Sequence, residues 1–292
     1  MAAAASTVAS SRLVVPGSFE QITKLTRYQL REYLRSRRFI ALAGIVLAIG
    51  AILTALVAHF RGSLATDDLA FYGTFWGGGV NLVIVLAAVF FGGDAIAGEF
   101  QNKTGYFLMG LPIRRTAVYV GKFIAAFLAA LAMMALYLAI LLGNGLFYFP
   151  SSAFPWELGL SVVLAVVYLS AVLGATFLFS SLFKTSAYGF VLTAILFLFG
   201  FTILQDVIVG LVKIEPWMII SYADSTIGSV FAPGVNWGLF GQSTTTTMMV
   251  GRRLVSSTTY TAGIAEGIVI MLAYLVITAA AGLWLFEREE FT

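Results

Sequence analysis

The sequence predicts an all-α integral membrane protein, and three observations carry that reading. Hydrophobic residues fill 60% of the 292 positions and charged residues only 11%, with a mean hydropathy of +0.95. That balance excludes a soluble globular domain of ordinary composition. Apolar runs long enough for a helical crossing, about 20 residues at 1.5 Å rise each, occur six times. All are too long for barrel strands, and none alternates strictly with period two.

Residues 1–17 are rich in Ala, Ser and Val but lack the basic-then-apolar order of a signal peptide, and read as a disordered tail. Over 18–38 the pattern becomes amphipathic. At about 100° per residue, Phe19, Ile22, Leu25, Leu30, Tyr33 and Leu34 share one half of a helical wheel, and Lys24, Arg27, Arg31, Arg35 and Arg38 the other. This describes an elbow helix in the lipid interface, its cations among the phosphates and Ser18 as its cap. A short link into Phe39 lets a push on it tilt the next helix.

The six spans are expected at 39–60, 75–93, 118–142, 158–180, 188–212 and 264–286, within a transmembrane region 39–286 that ends in a charged tail, 287–292. Orientation follows from the cations. With the N-terminus cytoplasmic, that side receives Arg12, Lys24, Arg27, Arg31, Arg35, Arg37, Arg38, Lys103, Arg114, Arg115, Lys122, Lys184 and Arg288, and only Arg61, Lys213, Arg252 and Arg253 of the 17 Lys and Arg lie opposite. The positive-inside rule therefore puts both termini and the 94–122 segment in the cytoplasm, in a plasma-membrane protein. The pI near 9.1 reflects this topology and implies no nucleic-acid partner.

Gly73 and Gly77–Gly79 open the second span as either a close-packing face or a local distortion. The loop after the third span supplies an aromatic belt of Phe147, Tyr148, Phe149, Phe154 and Trp156 without Lys or Arg. The longest outer excursion, 213–263, is too long to lack structure of its own, and short interfacial or re-entrant helices forming a small lid are expected there.

Catalysis finds no residues to work with. There is no cysteine and one histidine, His59, at a helix end, so no disulfide, thiolate or nitrogen-ligand metal site can be built. Neither a Walker-type phosphate loop nor a dinucleotide fingerprint is present. No enzyme, no catalytic residue and no bound cofactor or metal is expected. A nucleotide-independent carrier or channel would keep ionisable groups near mid-membrane, where a charge costs about 2.5–3.5 kcal/mol. The weak candidates for such pathway lining are Asn81, Gln205 and Asp206.

The segment 94–122 is a polar island between two apolar runs. Its ordered series Asp94, Ile96-Ala97, Glu99-Phe100, Lys103-Thr104, Leu111-Pro112, Arg114-Arg115 and Gly121-Lys122 resembles the pattern of type-2 ABC transporter permeases (the ABC-2 type). The amphipathic first helix, the six spans, the long last outer loop and the acidic-basic tail are similar to that family too. The resemblance implies a short cytoplasmic coupling helix at about 98–109 that seats in a groove of a separate ATP-hydrolysing subunit, with ATP and magnesium held on that partner. It implies a dimer, with a second permease copy or with a similar permease, and transport in the export direction. The coupling residues it names are Asp94, Glu99, Phe100, Gln101, Asn102, Lys103, Thr104, Tyr106, Pro112, Arg115 and Lys122. Polar Glu99, Gln101, Asn102, Lys103 and Thr104 offer directional contacts, Phe100 and Tyr106 apolar anchors, and Pro112 a helix break.

Overall fold

A computed structural model describes residues 17–59, 67–102, 113–150, 154–250 and 253–288. Six helices are long and apolar enough to cross a membrane: Arg37–His59, Asp68–Gln101, Arg115–Tyr148, Trp156–Leu182, Ser186–Val212 and Ile264–Arg288. They are the first to sixth spans below. The end of the bundle that carries Asp94 and Lys122 is called inner and the other outer.

A surface helix, Ser18–Arg35, precedes the first span. Gly17 occupies its cap position without a side-chain bond, so Ser18 is its first helical residue and not the expected cap. Ser36 alone separates it from the first span. The Ser36 Oγ donates to the Tyr33 carbonyl at 2.7 Å and accepts from the Phe39 amide at 3.1 Å, closing one helix and capping the next. The apolar face also divides in a way the wheel did not foresee. Gln21 and Tyr33 are buried while Phe19 is 82% exposed, and Tyr28 and Leu34 are exposed too. The buried side is clamped to the third span: Thr26 Oγ1 donates to the Gly121 carbonyl at 3.2 Å, and a Cβ on Gly121 would lie 2.9 Å from that of Leu25.

The second span is built in pieces. Asp67 caps its outer end by accepting from the Ala70 amide at 2.7 Å. A wide π turn, Gly73–Gly77, then leads into Val80–Gly92, and the chain turns once more before a short inner helix, Ala97–Gln101. The glycines serve both expected purposes. The π turn distorts the helix, and the backbones of Gly77 and Gly228 touch so closely that a Cβ on Gly77 would meet the Gly228 Cα at 2.6 Å. The span therefore starts seven residues before the predicted 75.

The third span runs six residues beyond the predicted 142, drawing Phe147 and Tyr148 into the helix. Buried Ala125, Ala126, Ala129 and Ala130 let its neighbours approach.

The outer segment departs most from the prediction. Among the described residues one helix, Ile220–Ser229, is present, but two strands, β1 (Gln242–Val250) and β2 (Arg253–Thr261), pair antiparallel as a hairpin in register from Gln242↔Thr261 to Val250↔Arg253. Runs of threonine and serine favour extended pairing, since the β-branched chain loses rotamers in a helix. The outer helix is pinned to the bundle by a relay: Trp76 Nε1 donates to Ser161 Oγ at 3.0 Å, and Ser161 donates to the Ile227 carbonyl at 2.5 Å.

Candidate functional site

The inner junction is assembled from the turn that ends Val80–Gly92. Gly93 lies against the fifth span so tightly that a Cβ on Gly189 would meet the Gly93 oxygen at 2.6 Å. The turn exposes the first amides of the short helix Ala97–Gln101, and the fourth span satisfies them. Ser180 Oγ accepts from Ile96 and Ala97 at 3.0 and 3.1 Å, a capping role performed by a residue from another helix.

Charges then tie the turn to its other neighbours. Lys122 of the third span, though only 7% exposed, donates to the Ala95 carbonyl at 2.8 Å and pairs with Glu99. Arg38, read as facing lipid, instead reaches inward to the Asp94 carboxylate. Gln101 accepts from the Ser186 backbone amide at 2.9 Å and from its hydroxyl, which starts the fifth span. Arg115 donates to the Glu287 carbonyl at 2.7 Å, joining the third span to the end of the sixth. The surface helix joins in through Tyr33, whose hydroxyl donates to the Phe91 carbonyl at 2.9 Å.

Between the surface helix and the short inner helix lies a cavity of about 630 Å³, whose lining includes Gln29, Glu32, Arg38, Asp94, Glu99 and Lys122. The short helix thus bonds to the third, fourth and fifth spans, and Phe91 and Asp94 just before it bond to the surface helix and the first span.

Of the residues singled out from sequence, Asp94, Glu99, Gln101, Arg115 and Lys122 enter this network. Phe100 packs against the core, and Asn102 ends the short helix and is exposed. Lys103, Thr104, Tyr106 and Pro112 lie outside the described residues, as does the rest of the expected 98–109 helix. Lys24, Arg27, Arg31 and Arg35 are exposed on the surface helix, with Lys24 2.7 Å from Glu20.

The three pathway candidates scatter. Gln205 accepts from Ser221 at 2.7 Å, and Asp206 sits on an exposed side of the fifth span. Asn81 belongs to an outer cluster that sequence reasoning missed. Its amide nitrogen donates to Asp224 of the outer helix, and its oxygen accepts from the Tyr168 hydroxyl at 3.1 Å. Asp224 lies outside the long apolar runs, where an ionisable group stands out in sequence. The available signal was its position between Tyr222-Ala223 and Thr226-Ile227, in a moderately apolar stretch too long to be a bare loop.

The family model described as ABC-2 family transporter protein matches residues 24–291. The chain belongs to this family. The match spans the surface helix from Lys24, all six spans and the outer hairpin, so every part of the inner junction lies within it. Comparison with curated proteins finds no match. As an ABC-2 family transporter protein the chain is a multi-pass membrane permease, a transport subunit of a family that works with ABC ATPase partners.

Proposed function

We propose that this permease forms a substrate path with a second copy of itself and is driven by separate ATPase subunits seated on the short inner helix Ala97–Gln101 and Asn102. ATP and magnesium are held on the ATPase. Closure of the paired ATPases pushes the inner helix, and the bonds through Lys122, Ser180 and Gln101 pass that push to the third, fourth and fifth spans. Export across the plasma membrane, with both termini cytoplasmic, is the direction and orientation we assign.

The observation that carries this reading is that the inner helix Ala97–Gln101, exposed at its Gln101–Asn102 end, is bonded to the third, fourth and fifth spans. Nothing in lipid could push it, so the force has to come from a soluble subunit. The second copy is supported by the fifth span, buried over only 6% of its most apolar window against 72% in the second, and by Asp206 on its exposed side. A carboxylate turned toward lipid is unfavourable, though less so this near the outer end than at mid-membrane, and a partner helix covers it.

Co-expression with candidate ATPases and capture on the tagged permease tests the coupling. Asn102→Trp adds bulk at the exposed end of the inner helix and touches no bond of the network. Capture lost in this variant with an unchanged Tm supports the docking site, and capture equal to the parent's removes it.

A further inference from the structure

A groove of about 400 Å³ runs between the outer part of the second span and the outer helix. Gly73, Thr74 and Gly77 line one wall and Ser225 and Gly228 the other, and Asp224, bonded to Asn81, is part of the lining. No Lys, Arg or His lines it. The hydrogen bond from Asn81 engages Asp224 Oδ2, and among the described residues Oδ1 accepts none. Asn81 is itself held by the Tyr168 hydroxyl, which fixes the amide with its NH₂ toward the carboxylate.

A carboxylate withdrawn from water without a cation is poorly compensated by a single amide. Other titratable groups at this end do not supply one. Tyr168 stands behind Asn81, and Glu215 and Glu266 are occupied with the Tyr222 hydroxyl and the Gly241 and Gly263 amides. A hard metal ion asks for six or more oxygens, and no group of three acidic, His or Cys residues able to hold a metal occurs among the described residues. Apart from the Thr74 and Ser225 hydroxyls, the remaining walls are glycine and the apolar Leu69, Ala70, Phe231 and Ala232, which suit the hydrocarbon part of an organic cation.

We propose that this groove receives an organic ammonium group at the outer face, with Asp224 as its counter-charge and Asn81 as the residue that positions the carboxylate. Calling the bound molecule cargo rests on the permease reading; the binding itself does not. Burial pushes the Asp224 carboxyl up to about 7, so the anion forms at and above neutral pH and ammonium binding releases a proton.

The test uses the purified full-length chain in lipid nanodiscs, with benzylammonium as probe, benzyl alcohol as its uncharged match, and calorimetric titration as readout. Saturable binding of benzylammonium alone is expected. Its affinity should rise as pH goes from about 6 to about 8, and should weaken at least about tenfold in Asp224→Asn. Glu157→Gln, which removes a different outer carboxylate, should bind as the parent does. Thr74→Trp fills the groove from the opposite wall and should also abolish binding, which guards against a folding defect at Asp224. Equal binding of the alcohol, undiminished binding in Asp224→Asn or Thr74→Trp, or affinity that falls with rising pH overturns the proposal. Failure here beside intact ATPase capture sinks the groove and leaves the permease mechanism standing. Lost capture with intact binding does the reverse.

Discussion

Lys122 reaches from the third span to the Ala95 carbonyl at 2.8 Å and to the Glu99 carboxylate, so one buried ammonium holds both the turn and the short helix that follows. Removing one partner of a buried pair costs more than the pair contributes, because the desolvated charge left behind loses its counter-ion. Lys122→Met is expected to destabilise the chain by about 3 kcal/mol. Lys122→Met combined with Glu99→Leu should recover part of that loss. A double-mutant cycle read by thermal unfolding in detergent checks this, and additive losses would show that the two residues do not act together.

The contact between Gly77 and Gly228 predicts a second sensitivity. A methyl on Gly77 meets backbone atoms, which cannot rotate away, so Gly77→Ala should cost about 1–3 kcal/mol and loosen the outer helix. Gly44→Ala in the first span meets nothing within 4 Å and should be neutral or stabilise by up to about 1 kcal/mol through helix propensity. Proteolysis of the outer segment, followed by mass spectrometry, reports the loosening directly.

Asp224 makes stability depend on pH in a defined sense. Its folded carboxyl titrates near 7 against an ordinary value of 3.8, so between these values the folded chain keeps a proton that the unfolded chain has released. Stability contributed by that proton is present in acid and declines as pH rises through the window, levelling above about 7. The parent's Tm at about pH 5 should therefore exceed its Tm at about pH 8 by more than is seen in Asp224→Asn, whose profile loses this component. Identical profiles would contradict the assignment.

The hairpin makes few attachments to the bundle. Tyr260 donates to the Lys213 carbonyl at 2.7 Å, and Glu215 accepts from the Gly241 amide at 2.8 Å just before β1. Gln242 and Thr261 face each other across the ladder, about 5 Å apart as paired residues are, so a two-residue linker can replace 242–261. The excised protein should stay monodisperse with a Tm close to the parent's. Aggregation or loss of the cooperative transition on size-exclusion and thermal analysis would show that the hairpin is part of the folded core.

Hydropathy made the six spans legible because lipid leaves helices as the simplest way to satisfy every backbone group. The ends were less legible. The second span's outer start depends on the π turn at Gly73 and on the Asp67 cap, neither of which has a strong local signature. The hairpin was legible in principle: two Thr/Ser runs, 243–247 and 256–259, flank Gly251, but their polarity reads equally as linker. At the inner junction the residue types were visible, and their partners were not. Ser180 and Ser186 are unremarkable in sequence and matter only because Gly93 lets the turn approach them. Arg38 joined the cations of the surface helix on the wheel, yet the break at Ser36 redirects it toward Asp94.

The chain has no cysteine, so Asn102→Cys introduces a single thiol at the end of the short inner helix. Cross-linking this variant to the co-expressed ATPase with a short maleimide–benzophenone reagent, which joins the new thiol to a nearby C–H bond on illumination, tests the coupling claim directly. The account predicts an adduct between permease and ATPase at Asn102→Cys and none at Ser243→Cys on the hairpin. An ATPase that co-purifies yet gives no adduct at Asn102→Cys, or gives one at Ser243→Cys, would contradict it.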